Sequence, residues 1–189
     1  MLRRTVLKTG AATAALLATV VPGAAARSSA TPATGSDAAQ TGEPCQVDSP
    51  EGFTVEVLAG HATFPDRVAA RFEVEYDESE MDSIVSDLPT DASSVLVAKV
   101  TWAPEGTSGW HTHPGPVVVT VVEGELDLIN ERDCVVRTYT AGEAFIDPGQ
   151  GNVHIASNPS TSAEAVAYAT FLGVPVGEPA TVWVEPVDC

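Results

Sequence analysis

The chain has 189 residues, of which 26 are acidic and nine are Lys or Arg, for a formal net charge of −17. A surface of that sign repels nucleic acid and anionic lipid, so neither is expected as a partner. The balance suits a host living in high salt, where screening over a few Å removes self-repulsion, with a merely acidic secreted protein as the alternative.

Residues 1–26 open with Arg3, Arg4 and Lys8, run through an apolar stretch at 11–21 and end on Ala24-Ala25-Ala26. That order reads as an export signal peptide. Its apolar part falls short of the roughly 20 residues of a spanning helix, so no permanent membrane span is expected after signal cleavage. A retained anchor is the alternative. The segment "RRTVLK" resembles the twin-arginine export motif, with Val6 where that motif usually has Phe. An exported protein of the cell envelope or extracellular space is therefore expected. Residues 27–46, rich in Ala, Ser, Thr, Gly and Pro, bury almost nothing and predict a disordered linker.

Residues 47–189 are one domain by length. They break into short β-rich runs: "FTVEVLA", "VAARFEVEY", "SVLVAKVTWA", "VVVTVV", "LDLIN", "CVVRTYT", "AFID", "VHIASN", "AVAYATFL" and "TVWVEP". Gly, Pro, Asn or Asp separates most of them, and no amphipathic helix of ordinary length intervenes. An all-β sandwich or small barrel follows. The acidic stretch "DESEMDSIVSDLPTDASS" is expected to be a surface loop with one helical turn near Met81 to Val85.

Chemistry concentrates in "HTHPGPVVVTVVEGEL". Alternate side chains of a strand share a face, so His111 and His113 point the same way and can share one ion. A third histidine, His154, follows the Gly- and Pro-rich turn of "AGEAFIDPGQGNVHIASN". His61 lies apart, in "LAGHATFPD", and reads as a loop or surface residue. Trp102, Trp110 and Trp183 read as packing residues, with Trp110 alone placed beside a candidate ligand.

These two stretches resemble the two halves of the cupin signature. The first half is Gly, five residues, His-x-His, three or four residues, Glu, six residues, Gly; the second is Gly, five residues, Pro-x-Gly, two residues, His, three residues, Asn. His111, His113 and Gly124 fit the first half, with Gly106 one residue off its place. Gly142, Pro148, Gly151, His154 and Asn158 fit the second, with one extra residue between Pro148 and Gly151. The resemblance covers a signature core of about 95–172. One departure stands out: Val117 occupies the position of the family's glutamate ligand. Glu123 and Glu125 are read as solvated at a turn, and Asn158 as closing its strand end through amide hydrogen bonds.

The resemblance implies a cupin double-stranded β-helix, a jelly-roll barrel, in which His111, His113 and His154 hold a divalent metal ion. Imidazoles without a carboxylate suit Fe, Zn, Ni or Cu, with iron favoured, and speak against the manganese oxalate enzymes among cupins. They agree better with the three-histidine iron cupins that deliver dioxygen. A small-molecule oxygenase is one expectation, with Trp110, Val117 and Val119 shaping an apolar pocket. No general base is evident. The other expectation is a non-catalytic ligand-binding or structural cupin module of the cell surface. Either way the partner is a small molecule, and a homodimer is compatible with the domain.

Three cysteines, Cys45, Cys134 and Cys189, allow one internal bridge, and spacing alone does not choose it. Resemblance to small exported cupins that end in Cys implies a Cys134–Cys189 disulfide. A Cys45–Cys189 bridge, stapling the two ends, is the alternative.

Overall fold

A computed structural model describes residues 50–189 apart from 78, 89–91 and 93. The expected export signal, the linker and Cys45 lie outside the described residues. All ten β-rich runs become strands, joined by two further ones. In chain order they are β1 (Glu51–Thr63), β2 (Ala70–Val74), β3 (Ile84–Leu88), β4 (Ser94–Thr107), β5 (His111–Thr112) and β6 (Val117–Glu123). The rest are β7 (Glu125–Asn130), β8 (Val136–Thr140), β9 (Ala144–Asp147), β10 (His154–Ser157), β11 (Ala165–Leu172) and β12 (Val182–Trp183). No helix occurs among the described residues.

One antiparallel run of strands is β1-β4-β11-β6-β9, and the other is β8-β7-β10-β5-β12. They join where Ser157 of β10 meets Thr107 at the end of β4. The architecture is all-β, the cupin double-stranded β-helix expected from the signature. Alternation along each strand sends one row of side chains inward. Val117, Val121, Leu126 and Leu128 are thereby sealed from solvent, each contributing about 1.5–3 kcal/mol of apolar burial.

The acidic stretch after Tyr76 departs from expectation. Instead of a helical turn near Met81 to Val85, residues Ile84–Leu88 form β3, paired in register with β2 from Ala70↔Leu88 to Val74↔Ile84. Ile84, Ser86 and Leu88 are buried while Val85 and Asp87 are exposed. That period of two selects a strand over a helix once a partner lies alongside.

Two tight turns bring the signature halves together. Gly149 sits at φ +61°, and a Cβ there would overlap the backbone of Gly115. Gly115 lies two residues past His113, so the turns touch with no room for a side chain between them. The extra residue in the second half is absorbed by three consecutive left-handed residues, Gly149, Gln150 and Gly151. Gln150 N–H then donates to the carbonyl of His113 at 2.8 Å, fastening the turn to the first histidine pair.

Candidate metal centre

His111 on β5 stands directly opposite His154 on β10 in an antiparallel ladder. Cross-strand partners share a face, so these rings meet although 43 positions separate them in the chain. Their centroids are 4.2 Å apart; His113 follows at 4.8 Å from His111 and 5.4 Å from His154. Phe171 of β11 holds the His113 ring edge-on at 5.3 Å. All three histidines are buried.

Two of the rings hydrogen-bond through Nδ1, and the third faces a carboxylate. His111 Nδ1 lies 2.8 Å from the carbonyl of Gly109, and His113 Nδ1 lies 2.7 Å from that of Ala180. His154 Nδ1 faces a carboxylate oxygen of Asp147 at 3.4 Å. An imidazole that donates through Nδ1 keeps the Nε2 lone pair free for a metal. One ligand atom from each histidine lies within 4.8 Å of the others. An ion bound at about 2.1 Å needs them within about 4.2 Å, a contraction of about half an ångström.

Burial also keeps the rings neutral. It pushes His111 and His154 below the ordinary histidine range, and it takes His113, aided by the neighbouring His111 charge, to about 3. Neutral imidazoles are the form that binds a metal ion, so the donor set fits a divalent cation.

The cluster closes one end of a cavity of about 210 Å³, lined among others by Phe53, Val100, Trp102, Val119, Phe145 and Phe171. That is space on the order of seven water molecules. Val117 and Val119 line it as expected from parity. Trp110 does not: it is buried outside the lining, and Trp102 takes its place, with its indole N–H donating to the carbonyl of Ala156 at 3.1 Å. The reason is alternation, because residue 110 has the opposite parity to 111 and 113. The cavity opens beside β1, where Val55 and Val57 line it yet remain half exposed. A larger open groove, about 760 Å³, runs past Tyr76, Arg137 and Tyr139 and touches none of the histidines.

Glu123 is exposed, and neither it nor Glu125 lines the cavity. His61 stands on β1, away from the cluster. Asn158 closes its strand end, its Nδ2 donating to the carbonyls of Ala103 at 3.0 Å and Ala163 at 2.8 Å. Cys134 and Cys189 are joined, and Cys45 is outside the described residues.

Two parts of the site escaped the sequence reading. The first is Asp147, buried beside His113 and His154. Burial raises its pKa, against the pull of the nearby imidazoles. Its signal was present: in "AFID" Asp147 shares the inward parity of Phe145. The second is the C-terminal segment. β12 pairs with β5, Trp183↔His111, and the Trp183 indole donates to the carbonyl of Ser108 at 2.9 Å.

Residues 98–171 match the family described as Cupin domain. Germin-like protein 12-2 of Oryza sativa subsp. japonica is 33% identical over 86 residues, 41% of this chain and 37% of that protein. The chain spans little more than a third of the length of the curated relatives it matches. Among solved structures, a double-stranded β-helix protein of Klebsiella pneumoniae is 16% identical, with 76% of this chain and 90% of that one covered at a TM-score of 0.47. An oxalate oxidase is 26% identical, with 67% and 59% covered at a TM-score of 0.42. All three clustered histidines lie within the residues that match the cupin domain.

Proposed function

We propose that this is an exported cupin-domain protein whose His111, His113 and His154 hold a divalent metal, iron above others, for oxygenase chemistry on a small, largely apolar molecule. The observation that carries the reading is the orientation of the three rings. Nδ1 of His111 and of His113 lies within hydrogen-bond distance of a carbonyl, Nδ1 of His154 faces Asp147, and one ligand atom of each ring lies within 4.8 Å of the others beside one apolar cavity. A divalent ion held by these three histidines would supply a Lewis-acidic centre beside that cavity. The chain's own residues supply shape: Val117, Val119, Phe145 and Phe171 exclude water and select an apolar body of few atoms.

A second reading, a non-catalytic ligand-binding module, is favoured by the lining itself. Among the described residues that line the cavity no carboxylate, lysine or tyrosine appears, so a general base is lacking. Metal analysis of the purified protein, beside a His111→Ala/His154→Ala variant, tests both. Stoichiometric iron that disappears in the variant supports the oxygenase reading; absence of metal from the wild type overturns it.

Export is supported by the Cys134–Cys189 disulfide, which persists in oxidising compartments. No helix among the described residues is long and apolar enough to cross a membrane. Adaptation to high salt is proposed from the net charge of −17. Unfolding midpoints that rise steeply with added KCl would support it, and salt-independent midpoints would refute it.

A further inference from the structure

Val117 and Asp147 are cross-strand partners on β6 and β9. Directly opposed residues of an antiparallel ladder project to the same face with Cβ atoms about 4.5–5.5 Å apart. The carboxylate absent at Val117 is therefore present on the neighbouring strand at nearly the same depth. We propose that Asp147 is the positioning residue of the metal centre, a relocated carboxylate that orients His154 through Nδ1 and lends the site its negative charge. The proposal rests on the three-histidine metal reading.

Three observations carry it. Asp147 is 1% exposed, and the rings of His113 and His154 lie against its carboxylate at 3.9 and 3.4 Å. Its own carboxylate is held in place: Oδ1 accepts from Asn152 Nδ2 at 2.8 Å and Oδ2 from Gly149 N–H at 3.1 Å. Asn152 Nδ2 is in turn shared with Asn130 Oδ1 at 2.9 Å, and Asn130 is the β7 partner of His154. A buried chain of polar groups thus runs from β7 through the turn to the carboxylate and returns to the histidine.

His154 Nδ1 is the unsatisfied end of that chain. It is buried without a hydrogen-bond partner, and Asp147 Oδ1 lies 3.4 Å away. Such a nitrogen is costly to leave unmade, and a small rotation of either group completes the bond. His113 Nε2 faces the other carboxylate oxygen at 3.9 Å, so one side chain addresses two of the three rings. A divalent ion on three neutral imidazoles brings two uncompensated positive charges into a buried site, and a carboxylate at this distance offsets one of them.

Titration of the full chain with Co(II), read by affinity and by visible absorption, tests the proposal. Asp147→Asn is expected to weaken binding by about 10- to 100-fold and to shift the Co(II) bands, with partial recovery of both in Asp147→Glu. Unchanged affinity and bands in Asp147→Asn, with tight binding by the wild type, overturn this proposal and leave the metal site standing. A wild type that binds no Co(II) overturns both. Should Asp147→Asn fail to fold, the imidazole ¹⁵N shifts of the metal-free wild type decide: a proton on His154 Nδ1 supports the proposal, and one on Nε2 overturns it.

Discussion

His113 donates through Nδ1 to the carbonyl of Ala180 at 2.7 Å, although 67 positions separate the two residues. The C-terminal segment is therefore part of the histidine cluster. It also pairs β12 with β5, and the Cys134–Cys189 disulfide ties it down over a separation of 55 residues. Replacing both cysteines by serine is expected to cost about 2–4 kcal/mol, read by urea unfolding. Because Ala180 lies in the tethered segment, metal affinity should fall as well. Calorimetric titration of the double variant checks this, and unchanged affinity would mean that β12 holds its place without the bridge.

The contact between the Gly115 and Gly149 turns yields a second expectation. Gly149→Ala combines a left-handed backbone, φ +61°, with overlap against Gly115. Gly142→Ala is the matched control, since φ is +96° there but nothing lies within 4 Å of the added Cβ. Strain at φ alone costs about 1–3 kcal/mol. Gly149→Ala should exceed Gly142→Ala in lost stability and should alone lose metal binding. Equal melting temperatures for the two variants would show that the turns have slack.

Acid should destabilise the metal-free protein. The histidines are held below their ordinary pKa of 6.5 by burial, so the unfolded chain takes up protons there that the folded cluster refuses. Their contribution is fully present above about pH 6.5 and is lost as pH falls toward the folded value, about 3 for His113. Asp147 acts in the opposite sense: its raised pKa lets the folded state keep a proton the unfolded chain has lost, a contribution that fades as pH rises above 3.8. Three imidazoles outweigh one carboxyl. Each uncompensated proton gives a slope of about 1.4 kcal/mol per pH unit. Urea unfolding between pH 7 and pH 5 should show stability falling with acid, and a flat profile would contradict the burial of the cluster.

Val117→Glu restores the family's usual carboxylate beside Asp147. Without metal it buries an unpaired acidic group and should destabilise the protein by on the order of 3 kcal/mol. With metal it should raise the affinity for Mn(II), a cation that prefers oxygen donors, relative to the wild type. Mn(II) electron paramagnetic resonance during titration measures the change. No gain in Mn(II) affinity would mean that residue 117 lies out of reach of the ion.

Much of this architecture was legible in the order of residues. Alternation and turn residues marked ten of the strands, and the His-x-His spacing marked His111 and His113, because both properties are local to a strand; His154 joined them through the family resemblance. The Cys134–Cys189 pairing followed from family resemblance and not from spacing. The one strand misread, β3, acquires its form only from its partner β2. Trp102 rather than Trp110 lines the cavity, a matter of parity that the chain already contained.

Which side chains face inward is written in the order of residues. Period-two alternation is a property of each strand alone, and it sends His111, Val117, Phe145 and Asp147 to the interior. Which of those inward residues meet depends on the fold as a whole. Asp147 faces His154, and Ala180 caps His113, because ladder register and the closure of the barrel bring them together. Register is set by turns and by packing across the whole domain, so no local pattern contains it.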